Sequence, residues 1–189
     1  MYDLVIVGGG PAGASAATFA GHAGLKTVVL DADKGMTRRA MIYNHLGFPD
    51  GITGPDLVDR AQHQAVRAGA EWVKADVESL EAGGDGFVLT IADGRTFEAR
   101  EILLTIGANM DLARQAALEI RPGTEPRIRE VVAVDAEGRS SVPGVWAAGT
   151  AAGVSVHTIV TAGDGARVAL NIISGQQGQR YVWHDVLQP

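Results

Sequence analysis

The chain has 189 residues, of which 46% are hydrophobic, and its 16 Lys and Arg against 22 Asp and Glu give a formal net charge of −6. These values are typical of a globular domain, and an acidic balance without a basic cluster argues against a nucleic-acid partner. The absence of cysteine excludes disulfides, thiolate metal sites and Cys-x-x-Cys redox chemistry within these residues. No apolar run is long enough to span a membrane and no secretory signal is recognisable, so we expect a soluble, cytoplasmic protein without a membrane partner.

The first 31 residues predict a strand, a helix and a second strand. Residues 4–7 are apolar and branched, which is typical of a strand buried on both faces. A glycine-rich turn follows, and the small residues after it predict a helix that Gly24 ends. Residues 26–30 are again apolar and stop at Asp31. The unit has the usual size of a βαβ motif, about 30 residues.

The rest of the chain predicts further alternation of helices and strands. Residues 32–53 contain several glycines and a proline and are expected to be irregular. The elements predicted after them are a helix at 54–68, a three-stranded antiparallel meander at 72–100, a buried parallel strand at 102–106, a short helix at 111–118, strands at 131–134 and 145–148, and a helix at 157–173 stopped by Gly175. We therefore predict one α/β domain at 1–175, built from the two halves 1–108 and 128–175, and a polar tail at 176–189.

The motif with the clearest chemical meaning is Gly8-x-Gly10-x-x-Gly13, between the first strand and its helix. Gly8 permits the tight turn, Gly10 lets a pyrophosphate approach the backbone, and Gly13 allows close helix packing. The free N–H groups of the helix N-terminus favour the phosphates, and Asp31 is placed to accept hydrogen bonds from a ribose. This motif and the predicted order of helices and strands together predict a three-layer, Rossmann-like FAD/NAD(P)-binding fold with a parallel central sheet and an antiparallel meander.

At this point four segments resemble one family, the thioredoxin reductase branch of the FAD-dependent pyridine nucleotide–disulfide oxidoreductases. These are the glycine-rich start, a loop and helix start, a strand ending in Ile-Gly-Ala, and a second fingerprint, at residues 4–13, 44–57, 103–108 and 141–149. The resemblance covers residues 1–173 and implies FAD as the bound cofactor, with NADH or NADPH as a transient electron donor. It is also compatible with a redox partner protein and with a homodimer.

The motifs and the resemblance together imply a set of cofactor-binding residues. That set is Gly8, Gly10, Pro11, Ala12, Gly13, Asp31, Asn44, Val77, Gly107, Gly149, Thr150, His157, Thr158 and Ile159. Among them, the resemblance places the helix start at His157 beside the pyrimidine end of the isoalloxazine, where helix N-termini supply partial positive charge. No pattern indicates an acid, base, nucleophile or metal site, so no catalytic residue and no metal are predicted.

Two departures from the family pattern shape the functional prediction. Family members carry an NADPH-binding domain with the Cys-x-x-Cys pair before the second fingerprint, but only residues 109–140 lie there in this chain. That length does not accommodate another dinucleotide domain, so we expect no disulfide reductase activity. The family also has Asp at the position of Thr150, where it binds the ribityl chain. A threonine keeps a hydroxyl for hydrogen bonding but lacks the charge.

Three functions remain open from the sequence. The chain is an FAD-dependent oxidoreductase that takes electrons from NAD(P)H or a partner protein, a non-enzymatic flavin-binding or electron-transfer module acting with another chain, or an NAD(P)-binding protein without flavin. The second fingerprint argues against the last alternative.

Several single residues also keep two interpretations. His157 is a flavin-side donor or a capping or surface histidine, and Asp164 is expected to face solvent or a partner. The small basic group of Lys34, Arg38 and Arg39 meets a phosphate or lies in a solvated loop. Trp72 and Trp146 are expected in the core, whereas Tyr181 and Trp183 of the tail cover a flavin or pack on a second subunit.

Overall fold

The computed structural model describes residues 1–187, so the last two residues of the predicted tail, Gln188 and Pro189, lie outside the described residues. The strands are β1 (Tyr2–Val7), β2 (Thr27–Asp31), β3 (Met41–Ile42), β4 (Ile52–Thr53), β5 (Glu71–Lys74), β6 (Val77–Gly83), β7 (Gly86–Ile91), β8 (Thr96–Leu104), β9 (Ile120–Pro122), β10 (Glu130–Val132) and β11 (Val145–Ala147). The helices are α1 (Pro11–His22), α2 (Gly54–Arg67), α3 (Asp111–Gln115) and α4 (Thr158–Gln177), with short 3-10 helices at Met36–Arg39 and Gly149–Ala152.

The central sheet has parallel strands that all end at one edge. β1 lies between β2 and β8, β5 pairs with β2, and β11 pairs with β8, all in parallel. The register sets Val7 opposite Leu30 and Leu104. Because the carboxyl ends of parallel strands share an edge, the loops after β1, β2, β8 and β11 meet there, where ligands of such sheets bind.

Alternate side chains of β1 belong to two separate cores, and this alternation explains the three layers. Val5 and Val7 pack with residues of the meander, including Leu89. Leu4 and Ile6 pack instead with small and apolar residues of α1, α2 and α4. Since successive side chains of a strand point to opposite faces, a fully apolar strand requires cover on both sides. The predicted three-layer α/β fold is thereby confirmed.

The boundaries of the meander differ from the prediction. β5 at 71–74 joins the parallel sheet beside β2, so it is not the first strand of the meander, which consists of β6, β7 and β8. β8 combines the predicted third meander strand with the predicted parallel strand at 102–106. Its first residues pair antiparallel with β7, and the later ones pair parallel with β1. Because β8 runs without interruption from one pairing to the other, residues 96–104 contain no glycine or proline that would mark a boundary in the sequence.

The helix predictions hold better at their starts than at their ends. α2 begins at the expected place, and the Thr53 hydroxyl caps it by accepting a hydrogen bond from the Asp56 N–H. α4 runs past Gly175 and ends before Gly178, whose φ is +69°. The expected stop at Gly175 is therefore wrong. Gly175 meets open space and tolerates helical dihedrals, whereas Gly178 takes the left-handed conformation that ends helices.

Residues 109–140 pack against the core on the meander side of the sheet, through residues such as Leu112 and Val132. They contain α3 and an antiparallel pair of β9 and β10, without a strand–helix–strand unit. Among the described residues, no helix is both long and apolar enough to cross a membrane.

Candidate functional site

The turn between β1 and α1 is as tight as its glycines suggest. Gly8 has a φ of +102°, and a Cβ placed there would lie 2.5 Å from the Thr105 carbonyl oxygen. A Cβ at Gly13 would lie 2.0 Å from the Gly8 carbonyl oxygen. The Thr105 hydroxyl donates to the carbonyls of Val7 and Gly8, at 3.0 and 2.7 Å. Thr105 was missed by sequence reasoning because nothing in the pattern after β8 indicated that it would hold this turn.

Gly10 differs from the other glycines of the turn because it faces open space. A Cβ there would meet no atom within 4 Å, and its φ of −68° is accessible to any residue. Gly10 is the N-cap of α1, and no side chain caps the helix. Pro11 has no N–H, so the backbone donors of the first turn are those of Ala12 and Gly13. They have no side-chain cap, and they lie next to the open space at Gly10 with the positive end of the helix dipole behind them. This geometry suits an anion such as a pyrophosphate.

Gly9 of this turn and Trp72 of β5 are two further residues of the site that sequence reasoning did not assign. A Cβ at Gly9 would lie 2.2 Å from Cζ2 of Trp72 and 2.6 Å from Oδ2 of Asp31. Trp72 is only partly buried, and with Asp31 it lines a cavity of ≈ 220 Å³. The tryptophan was expected simply as a core residue. Its ring also forms part of the wall beside the proposed ribose carboxylate.

Asp31 ends β2 at the same edge, half-buried, and its carboxylate accepts no hydrogen bond from residues 1–187. Its backbone carbonyl accepts the Ala75 N–H at 2.9 Å, which brings the start of β6 at Val77 close by along the chain. An acceptor-only carboxylate beside an open cavity is suited to two neighbouring hydroxyls. The arrangement is suited to the ribose contact expected of Asp31.

The turn after β11 lies against the start of α1. Gly149 has a φ of +69°, and a Cβ on it would lie 2.8 Å from the Cβ of Ala12. Thr150 is 9% exposed, and its hydroxyl has no hydrogen-bond partner among residues 1–187. The Gly149 N–H donates to Oδ2 of Asp164 at 2.7 Å. Asp164 is 8% exposed, so the expectation that it faces solvent is wrong. Helical periodicity alone did not reveal that α4 turns this residue toward the Gly149 N–H.

The N-terminal end of α4 carries His157 as its N-cap residue, although the imidazole caps nothing. Its Nδ1 lies 2.7 Å from the hydroxyl oxygen of Ser155, and this hydroxyl donates to the Glu125 carboxylate at 3.2 Å. The Val156 N–H donates to the same carboxylate at 3.3 Å. His157 is exposed, and its orientation is set by this local contact with Ser155.

A loop from the first half of the chain reaches the same helix start. His45 Nδ1 lies 2.9 Å from the hydroxyl of Thr158, and burial lowers the pKa of His45. Asn44 beside it and Ile159 on α4 are both exposed. The contact brings the predicted residues 44 and 157–159 into one region, and it occupies the Thr158 side chain with a protein partner.

Two residues of the basic group after β2, Lys34 and Arg38, are held in ion pairs. Arg38 is held by Asp33 at 2.6 Å and by Asp59 at 2.5 Å, which ties the 3-10 helix at 36–39 to α2. Lys34 pairs with Asp76 at 2.5 Å. These pairs favour the solvated-loop interpretation over a phosphate contact.

The tail packs on its own chain. The Trp183 ring stacks on His22 with 3.6 Å between ring centroids, and the Tyr181 hydroxyl lies 2.6 Å from Nδ1 of His22. Phe19 contacts the Trp183 ring edge-on. Tyr181 and Trp183 thus cover the end of α1. This arrangement differs from both expected ones, which were covering a flavin and packing on a second subunit. Trp146, in contrast, is buried in the core as expected.

Among residues 1–187, no group of three or more His, Asp or Glu side chains is arranged to hold a metal ion. The donor set at the edge of the sheet fits FAD: an uncapped helix N-terminus for the pyrophosphate, a free carboxylate for the ribose, and the unpaired hydroxyl of Thr150 next to Gly149. Gly107, with a φ of +64°, follows β8 at the same edge.

Known proteins are similar to this chain in sequence. A family model described as pyridine nucleotide-disulphide oxidoreductase matches residues 2–53. A thioredoxin reductase of Mycolicibacterium smegmatis is 34% identical over 111 residues, which cover 57% of this chain and 35% of that protein. A bifunctional thioredoxin reductase/thioredoxin of Mycobacterium leprae is 34% identical over 113 residues, covering 58% of this chain and 25% of that protein. The chain thus aligns with a quarter to about a third of these relatives.

Solved structures show the same fold. A thioredoxin reductase from Gloeobacter violaceus has a TM-score of 0.82 at 19% identity, covering 98% of this chain and 99% of that one. The atypical thioredoxin reductase TRi from Desulfovibrio vulgaris Hildenborough has a TM-score of 0.83 at 20% identity, covering 94% and 99%. Sequence and fold together relate this chain to the thioredoxin reductase-like oxidoreductases, over their FAD-binding domain.

Proposed function

We propose that this chain binds FAD along the carboxyl edge of its sheet and acts as an oxidoreductase of the thioredoxin reductase-like type. The observation that carries the proposal is the uncapped, uncovered N-terminus of α1 at Gly10, with the free side chains of Asp31 and Thr150 at the same edge. These groups match the pyrophosphate, ribose and ribityl parts of one extended dinucleotide.

Each residue has a separate task in this proposal. Gly8 and Gly13 shape the turn so that N–H groups of α1 hold the pyrophosphate, and Asp31 accepts hydrogen bonds from the ribose. Thr150 offers its hydroxyl to the ribityl chain, while the start of α4 at His157 provides partial positive charge to the pyrimidine end of the ring. The cofactor, when bound, supplies the hydride and electron transfer that the protein side chains lack.

The electron source is proposed to be NADH, NADPH or a partner protein. Reduction of a disulfide through a protein dithiol is excluded from the proposal because the 189 residues contain no cysteine. The proposed chemistry is therefore narrower than that named for the relatives.

The simplest experiment is to purify the protein and identify what it carries. We expect a yellow protein that releases FAD on denaturation, identified by mass spectrometry. A colourless protein that also takes up no added FAD contradicts the proposal. Release of NAD or NADP in place of FAD would establish the flavin-free alternative.

The second candidate is an electron-transfer or flavin-carrier module that works with another chain. It is favoured by residues 109–140, which form α3 and the β9–β10 pair and, within residues 1–187, provide no second nucleotide-binding unit. Anaerobic stopped-flow mixing with NADH and with NADPH separates the candidates. Rapid loss of the flavin absorbance supports the enzyme, whereas stable absorbance with both nucleotides supports the module.

A further inference from the structure

A buried carboxylate in the second turn of α4 has no part in the sequence motifs. Asp164 is 8% exposed, and its two oxygens serve different partners. Oδ2 accepts the Gly149 N–H at 2.7 Å, and Oδ1 accepts from Nε and Nη2 of Arg167, at 3.0 and 2.8 Å. A buried charge is costly unless it is paired and hydrogen-bonded, and here both conditions hold.

This carboxylate connects three parts of the candidate site. Gly149 and Thr150 belong to the turn after β11, which Asp164 contacts. Gly165, the residue after Asp164 in α4, packs so tightly on α1 that a Cβ there would lie 2.0 Å from the Ala12 carbonyl oxygen. Asp164 therefore stands beside the first turn of α1, next to the surface proposed for the pyrophosphate. Its hydrogen bond determines where the Gly149 backbone lies, and hence where the Thr150 hydroxyl is presented.

Arg167 has a second role at this position. A negative charge beside an anion-binding helix N-terminus would repel the phosphates unless a cation neutralises it. The guanidinium provides that cation, and its Nη1 also donates to the Ala136 carbonyl in the segment before the second fingerprint. The arginine is thus fixed from both sides.

We propose that Asp164, neutralised by Arg167, is a positioning residue that holds the Gly149–Thr150 turn for the cofactor. The inference rests on the proposed function, because FAD is the group for which the turn is held. A positioning role differs from a purely packing role in one respect. The charge balance between Asp164 and Arg167 affects the affinity for FAD independently of the stability of the fold.

The test compares three variants in protein freed of cofactor: Asp164→Ala, Arg167→Met, and the double variant Arg167→Met with Asp164→Asn. FAD affinity is measured by fluorescence titration and the fold by circular dichroism and thermal unfolding. Asp164→Ala is expected to weaken FAD binding about tenfold or more, as for loss of a charge-assisted hydrogen bond. Arg167→Met is expected to weaken binding because it leaves the carboxylate unneutralised. The double variant is expected to recover part of that loss.

The recovery has a clear physical reason. In the double variant the side-chain amide oxygen at position 164 still accepts the Gly149 N–H but carries no charge to repel a phosphate. If Asp164→Ala fails to fold, the comparison of Arg167→Met with the double variant tests the proposal by itself. Arg95→Met, which removes a matched Arg–Asp pair in the exposed turn between β7 and β8, serves as the control and should leave FAD affinity unchanged.

Two results would overturn the inference. One is wild-type FAD affinity in both single variants accompanied by lower unfolding temperatures, which would make the role purely structural. The other is a double variant that binds FAD no better than Arg167→Met. Failure of the unmodified protein to take up FAD is a different result, since it contradicts the proposed function itself.

Discussion

Replacing Gly10 with valine separates cofactor binding from folding. A Cβ at Gly10 meets no protein atom within 4 Å, and the residue has a φ of −68°, so the folded chain accommodates a side chain there. The cost to the protein is that of a poorer N-cap, under about 1 kcal/mol. For a domain of this size we expect the melting temperature of the cofactor-free protein to fall by about 2–4 °C at most.

The same side chain stands where the proposed pyrophosphate approaches α1. Each charge-assisted hydrogen bond from a backbone N–H is worth about 1.5–3 kcal/mol, and loss of two corresponds to more than about a hundredfold in affinity. The assay is FAD titration of the cofactor-free protein, with thermal unfolding of the same sample. Wild-type FAD affinity in Gly10→Val would refute our placement of the cofactor at this turn.

Gly35→Val provides a matched control for this experiment. Gly35 is also an extended N-cap residue, with a φ of −63°, and a Cβ placed on it would meet no atom within 4 Å. The substitution should cost similar stability and leave FAD affinity unchanged. Gly13→Ala shows the opposite behaviour, because its Cβ would lie 2.0 Å from the Gly8 carbonyl oxygen. It is expected to disrupt the fold itself.

Three further predictions concern single titratable residues. Asp31→Asn should weaken FAD binding about tenfold by removing a charged acceptor, and unchanged affinity in titration would exclude its ribose role. Burial raises the pKa of Glu101 despite its hydrogen bond from Trp146, so its ionisation destabilises the fold as pH rises through that raised pKa. Glu101→Gln should therefore raise the melting temperature at pH 7, with a smaller gain near the ordinary glutamate pKa, and an equal gain at both pH values would contradict this account. Burial lowers the pKa of His45, so the stability of its contact with Thr158 is present above the ordinary histidine pKa and is lost as pH falls toward the lowered one. The protection factors of residues 44–48 in hydrogen exchange, which correct for the slower intrinsic exchange at low pH, should fall on acidification in the wild type and much less in His45→Gln.

Helices and strands could be predicted from the sequence where a short-range pattern of residues was enough to determine them. The buried strand at β1, the glycine turn and the capped start of α2 all follow from short-range patterns. The errors in the strand predictions arose where the assignment of a strand depends on the strands with which it pairs. β5 and β6 both have strand composition, and only their neighbours assign β5 to the parallel sheet and β6 to the meander.

The candidate site was predictable to a similar extent. Gly8, Gly10 and Gly13 have the dihedrals and surroundings that their spacing suggested. Gly9, Trp72 and Thr105 were missed because their contacts join segments far apart in the chain. Such contacts leave no local periodicity or motif.

The sequence by itself predicted a dinucleotide-binding turn and a resemblance to one oxidoreductase family, because the Gly8–Gly13 motif, the second fingerprint and the zero count of cysteine can be recognised without knowing how the chain packs. Tertiary structure decided how the site is held together. A helix residue such as Asp164 has the same local pattern whether it faces solvent or a buried N–H. Its environment depends on how α4 packs against α1 and the turn after β11, and this packing is a property of the whole fold.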